Sequence, residues 1–188
     1  MCSWCWGFHP VIKTLREKYA DRYTFSLVVG GLRSSGDMAW DAQSKSYLKQ
    51  NWNAVHNATG QPFNPTLLNK STFDYNTHSS CKALVTVREL WGGEEKAFRY
   101  LGDIQEAFYK EGKDITGENI LSVYLSSKER QTFLEFYHSE RAELLMRHDF
   151  SKARSMGANA FPSVVKIDPD GHMSCVSGYK PLEHLLTL

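Results

Sequence analysis

Apolar residues along the chain recur with two different spacings, and the change of spacing divides it. From Cys5 to Tyr19, Trp6, Phe8, Val11, Ile12 and Leu15 fall at helical intervals while Lys13, Arg16, Glu17 and Lys18 take the polar side, which predicts an amphipathic helix. Pro10 lies inside it and should kink it, because proline removes a backbone donor and clashes with the preceding turn. Tyr23 to Val29 is rich in β-branched and aromatic residues and closes on Gly30-Gly31, which predicts a buried strand. From about Asp37 to Phe150 only helical periodicity recurs, with helices expected near Ala42 to Asn57, Ser79 to Leu90, Glu94 to Glu111, Thr116 to Leu125 and Glu129 to Ser155. A loop over Pro62 to Pro65 and breaks at Gly92-Gly93, Gly112 and Gly117 punctuate them. After Gly157 the period changes again. Ser163 to Ile167 reads as a strand, Asp168-Pro169-Asp170-Gly171 as a tight turn and His172 to Ser177 as the returning strand, with Pro181 opening a short helix over Leu182 to Leu186.

Composition narrows the class. A chain of 188 residues with 13% aromatics can bury one substantial core, or carry one fold with a large insertion. Lys and Arg total 22 against 21 Asp and Glu, so the net charge of +1 gives no electrostatic argument for nucleic acid or anionic membrane as a partner. No apolar run approaches the roughly 20 residues of a membrane-spanning helix. Four cysteines are too few for a disulfide-dense scaffold.

Two of those cysteines carry the chemistry. In Cys2-Ser3-Trp4-Cys5 the two intervening residues let both sulfurs lie on the first turn of a helix, close enough to form a disulfide that is easily reopened. At a helix N-terminus the unpaired N–H groups and the positive end of the macrodipole favour a thiolate, so Cys2 is the expected nucleophile and Cys5 the resolving thiol. The rival readings are a structural disulfide, half of a zinc site, or chance. A closed zinc site needs four ligands, and Cys81 and Cys175 are isolated in sequence. Cys81 opens a helical stretch and reads as a buried, inert thiol, and Cys175 as core or neutral surface. His9, one helical turn beyond Cys5, could tune the thiolate or relay a proton, or be structural. Trp4 and Trp6 could form an apolar lip for unfolded polypeptide or simply pack, Phe161 could be core or substrate contact, and spacing alone gives Pro162 a trans bond at the start of a strand.

The order of elements, with the motifs, resembles a thioredoxin fold carrying a helical insertion, as in the DsbA-like family and its FrnE-type branch. Cys2-Ser3-Trp4-Cys5-Trp6-Gly7-Phe8 looks like the active-site signature of that branch, and Pro10 sits where thioredoxin-like helices carry their kinking proline. Asn76-Thr77-His78-Ser79-Ser80-Cys81-Lys82-Ala83 and Ala107 to Ile115 resemble segments of its insertion, and Gly157 followed by Ala160-Phe161-Pro162-Ser163 looks like its cis-proline loop. The resemblance implies an α/β, thioredoxin-like fold in three parts: a first thioredoxin-like part over 1–36, an all-helical insertion over 37–155 and a second thioredoxin-like part over 156–188. It implies a disulfide oxidoreductase with Cys2 and Cys5 catalytic and with Ser3, Trp4, Phe161 and Pro162 binding substrate. A cis-proline beside the dithiol would leave the backbone of Phe161 free to pair with an extended substrate. No metal or cofactor is expected, glutathione being at most a redox partner. The expected partners are protein thiols and disulfides or glutathione, the expected compartment the cytoplasm.

Such folds place a central strand before the dithiol, where this chain has only Met1. The native protein is therefore expected to begin some residues earlier. Without that strand, Tyr23 to Val29 and the hairpin would face a gap whose unpaired backbone groups each cost about 1–3 kcal/mol if buried, so the domain should be badly destabilised. Oxidase, reductase and isomerase share the chemistry and differ in potential. The dipeptide Ser3-Trp4 has no positive charge, which predicts a thiolate less stabilised than in strongly oxidising relatives. Two alternatives stand beside this reading: a glutathione-dependent isomerase or transferase of the kappa-like class, which conventionally has serine near the position of Cys2, and a non-catalytic module in which Cys2 and Cys5 hold zinc.

Overall fold

A computed structural model describes residues 2–34 and 38–188. Its elements in order are α1 (Ser3–Tyr19), α2 (Ala42–Thr59), a 3-10 turn (Pro65–Asn69), α3 (His78–Leu90), α4 (Glu94–Tyr109), α5 (Glu118–Ser122), α6 (Ser127–Tyr137), α7 (Glu140–Ser155), the strands β1 (Ser163–Ile167) and β2 (Met173–Ser177), and α8 (Leu182–Leu185). The expected boundary between residues 36 and 37 lies outside the described residues, as does Met1.

Helix α1 runs through Pro10 without a break. Proline there cannot donate to the carbonyl of Trp6. The Gln61 side-chain amide donates to that carbonyl instead, at 3.0 Å. The Trp6 indole N–H in turn donates to the carbonyl of Pro62 at 3.0 Å. The loop after α2 therefore clasps the first turns of α1 from both sides of one residue.

Two apolar clusters meet at α1. The larger holds Trp6, Val29, Trp52, Tyr109, Phe133 and Met146 and is filled by α2 to α7. Aromatic rings dominate it, with Trp52 stacked on Phe63 and Phe108 edge-on to Tyr109. The smaller gathers Phe8, Leu15 and Leu185, with Val11, Phe25, Val164 and Tyr179 at its margin.

The strands β1 and β2 pair antiparallel, Ser163 opposite Ser177 and Ile167 opposite Met173. Gly171, at φ +84°, closes the turn by donating to the carbonyl of Asp168. Only glycine takes that conformation without steric cost.

The strand expected over Tyr23 to Val29 does not form. Among the described residues the only sheet is the two-stranded one, and Tyr23 to Val29 is extended but unladdered. Its backbone is served by side chains. The N–H of Leu27 donates to Glu94 at 2.7 Å, and that of Val29 to Asp149 at 3.0 Å. The carbonyl of Leu27 accepts from Arg88, whose guanidinium also grips Asp149 with two bonds of 2.9 Å. Asp149 is only 3% exposed, so this ion pair is stable through its fork geometry and its added backbone bond rather than through charge alone. Thus the gap expected to leave backbone groups unpaired is partly filled by carboxylates and a guanidinium from α3, α4 and α7.

Two helices are shorter than their periodicity implied. The stretch expected to be helical from Glu129 to Ser155 is broken after Tyr137, because the Ser139 hydroxyl accepts from the Ala142 N–H and starts α7 afresh. Only Glu118–Ser122 is helical in the stretch from Thr116 to Leu125.

Candidate active site

Cys2 is the N-cap of α1. Its φ and ψ of −101° and 115° are extended, and its sulfur takes the place a serine or aspartate oxygen usually fills, accepting from the Cys5 N–H at 3.4 Å. All four cysteines are free. The two thiols of the motif are strongly unlike. Hydrogen bonding from the Cys5 thiol, helped by the Cys5 and Trp4 backbone N–H groups, outweighs burial and lowers the Cys2 thiol from 9.0 to about 7. Hydrogen bonding to Cys2 and burial raise Cys5 well above the ordinary thiol range. Two residues of spacing thus yield one sulfur that ionises near neutrality and one that holds its proton.

The opposite wall comes from the loop before β1. The Phe161–Pro162 peptide bond is cis, and the Cys2 thiol points at the Phe161 carbonyl at 3.5 Å. Pro162 is buried, and its own carbonyl accepts from the Gly178 N–H at 2.8 Å. The ring of Phe161 turns away and lies against Gly30, where a Cβ would sit 2.0 Å from two ring carbons. Phe161 therefore faces the dithiol with its backbone and packs with its ring. Trp4 is half-buried, its ring 6.1 Å from that of Tyr179. Trp6 is buried and stacks on Tyr109, with centroids 6.2 Å apart. Ser3, half-buried, is the first residue of α1. Cys2, Cys5, Ser3, Trp4, Phe161 and Pro162 thus surround one spot.

The other sulfurs and the histidine fall outside it in different ways. Cys81 is buried and its thiol is raised, mainly by burial. Cys175 is exposed on β2. His9 is half-buried against α4. Among the described residues no three His, Cys, Asp or Glu side chains converge so as to hold a metal ion. Sequence reasoning passed over Gln61, which nothing local marks; it read Gly30 only as the end of a strand, in its doublet with Gly31, and Tyr109 only as part of the Ala107 to Ile115 segment, without placing either at the site.

A thioredoxin family model matches residues 1–186. The chain belongs to the thioredoxin family. Its fold is thioredoxin-like, mostly helical with a small two-stranded sheet. Among curated proteins it is similar to the ClpXP adapter protein SpxH of Halalkalibacterium halodurans, 24% identical over 196 residues that cover 96% of this chain and 61% of that protein. SpxH of Bacillus subtilis is 21% identical and covers 87% of this chain and 54% of that protein. The chain thus spans little more than half the length of the curated relatives it matches. Among solved structures it resembles a Nitrosomonas europaea protein named as a candidate protein disulfide isomerase, with TM-score 0.86 and 28% identity over all of this chain and 90% of that one. The cytosolic disulfide reductase DsbM of Pseudomonas aeruginosa superposes with TM-score 0.77 and 20% identity over 94% of this chain and 85% of that one, and its structure with GSH with TM-score 0.75. No helix among the described residues is long and apolar enough to cross a membrane.

Proposed function

We propose that this chain is a thiol–disulfide oxidoreductase in which Cys2 attacks and Cys5 resolves. The observation that carries the reading is the contrast between the two thiols, one at about 7 and the other held high, in a helix-capping CxxC beside the Phe161 carbonyl. The Cys2 thiolate attacks one sulfur of a substrate disulfide and the other sulfur leaves. The Cys5 thiol then loses its proton and attacks Cys2, releasing the second substrate thiol and leaving the Cys2–Cys5 disulfide. Run backwards, the same steps oxidise a substrate dithiol. Trp4 with Tyr179 offers an apolar lip, and the Phe161 backbone an edge, for a polypeptide bearing the reacting cysteine. The GSH-bound DsbM structure and the disulfide isomerase name of the Nitrosomonas protein support protein disulfides or glutathione as substrates, and the cytosolic description of DsbM supports a cytoplasmic setting.

A Cys2 thiol near 7 is stabilised as in thioredoxin, about 7, and far less than in the strongest oxidants, about 3.5. This favours a potential on the reducing side, nearer about −270 than about −120 mV. The SpxH likeness favours a second reading, a protein-binding adapter in which the fold matters and the sulfurs do not.

One set of measurements separates these readings. Reduction of a mixed protein disulfide by glutathione should vanish in Cys2→Ser and stop at a trapped mixed disulfide in Cys5→Ser. Turnover of a small electrophile surviving in Cys5→Ser would favour the kappa-like alternative, metal retained by reduced protein would favour the zinc module, and full exchange activity in Cys2→Ser would end the redox reading. Alkylation of Cys2 should rise with pH about a midpoint near 7 while Cys5 stays unreactive. Because folding lowers this pKa from 9.0, the thiolate stabilises the reduced fold fully above pH 9 and loses that contribution as pH falls through about 7. The reduced-minus-oxidised difference in melting temperature should rise over that window.

A further inference from the structure

The groups that favour the Cys2 thiolate lie on its own helical turn: the Cys5 thiol first, then the Cys5 and Trp4 backbone N–H groups. The other titratable groups that feel Cys2 are the Tyr75 and Tyr109 hydroxyls, both raised mainly by burial and neutral at pH 7. The aim of the first turn therefore decides how well the sulfur is served. Trp6 is the residue that fixes that turn. Its N–H closes it by donating to the Cys2 carbonyl at 3.2 Å. Its own carbonyl, which Pro10 cannot serve, accepts from the Gln61 side-chain amide at 3.0 Å. Gln61 is itself placed in advance. Helix α2 ends at Gly60, φ +73°, whose N–H donates to the His56 carbonyl at 2.8 Å. The Gln61 N–H then donates to the Thr59 hydroxyl at 3.3 Å, and the Gln61 carbonyl accepts from the His56 ring at 2.9 Å. Helix α2 is pressed against the same stretch of α1, since a Cβ on Gly7 would sit 2.6 Å from Val55 Cγ1.

We propose that Gln61 is a positioning residue for the dithiol: by donating to the Trp6 carbonyl it holds the first turn of α1 closed, with the Cys5 N–H on the Cys2 sulfur, and so sets how readily Cys2 attacks. The inference rests on the redox reading of the dithiol. Gln61 acts through Trp6 and not on the sulfurs themselves. Without its amide the Trp6 carbonyl has no donor, because residue 10 carries no N–H. A groove of about 980 Å³, open to water, adjoins it and is lined in part by Trp6, Pro10 and Gln61. The freed carbonyl tilts out toward that water, as solvent-side carbonyls of helices do. The Trp6 peptide tilts with it, the bond from the Trp6 N–H to the Cys2 carbonyl lengthens, and the N–H groups of the turn lose their aim at the sulfur.

The test is alkylation of the reduced full chain as a function of pH, read cysteine by cysteine by mass spectrometry, with glutathione-driven disulfide exchange measured alongside. Gln61→Met, of the same length but without the donor, should move the Cys2 midpoint up from about 7 toward the ordinary 9.0. At pH 7 alkylation of Cys2 and exchange should both slow about fivefold, the loss of thiolate for an acid about tenfold weaker. Above pH 9 alkylation should not be slower. Pro10→Ala gives the helix back its own N–H for the Trp6 carbonyl, so adding it to Gln61→Met should return the midpoint to about 7. A role in stability alone would lower the melting temperature of Gln61→Met and leave the midpoint in place. That result, or a raised midpoint that Pro10→Ala does not restore, overturns the assignment and leaves the redox reading standing. Gln61→Asn keeps the amide but falls one methylene short, and should move the midpoint the same way by less. It decides if Gln61→Met does not fold, an unmoved midpoint again overturning the assignment. No exchange by the wild type at any pH ends the redox reading and this inference with it.

Discussion

Helix α1 has two apolar flanks, and they are unequally supported. On one side Trp6 enters a large aromatic cluster assembled from α2 to α7, closed by hydrogen bonds to Pro62 and Gln61. On the other, Phe8 and Leu15 meet α8 and the hairpin in a cluster with three buried members among the described residues. The hairpin is correspondingly open: no residue of β1 is fully buried, and Ile167 at its end is 58% exposed. The dithiol stands on the seam, its sulfurs on the well-packed helix and its Phe161 carbonyl on the lightly packed side. Stability therefore resides mainly in the helical block, while the site depends on how the smaller side is held against it.

Three substitutions would break or sharpen that contrast. Phe133→Ala removes a fully buried ring that contacts Tyr100 and Tyr137, and should cost about 3–5 kcal/mol in urea unfolding, with all probes of the molecule falling together. Leu185→Ala empties part of the small cluster and should cost about 2 kcal/mol, near the low end for such truncations, because the site is close to water. Hydrogen exchange should locate that loss in α8 and the hairpin, with α3 and α4 still protected. Equal losses in the two variants would remove the asymmetry. The smallest effect is expected from Ser139→Ala, which deletes the cap of α7 and should cost about 1 kcal/mol without altering exchange activity.

Local signals were legible where the chain's own pattern decides the structure. The periodicity of α1 to α4, the Asp-Pro-Asp-Gly turn and the helix-opening dithiol could be read directly, since each rests on residues a few positions apart. Tyr23 to Val29 shows the limit. Its β-branched content fits an extended backbone, but a ladder needs a partner strand, and here Glu94, Arg88 and Asp149 take backbone bonds that a neighbour would have taken. The break at Ser139 was hidden for another reason: helical spacing of apolar residues continues across it, and only the cap reveals it. At the site the cysteines were visible, whereas the direction of the Phe161 ring was open because Gly30 lies 131 positions away.

The bond between Gln61 and the Trp6 carbonyl also has a consequence in time. It joins residues 55 positions apart, and it replaces the one hydrogen bond that Pro10 denies to the active-site helix. During synthesis the dithiol leaves the ribosome before α2, but α1 cannot be completed until α2 and the loop beyond it have emerged and closed back upon it. A nascent chain therefore exposes both cysteines before it has the structure that sets them apart.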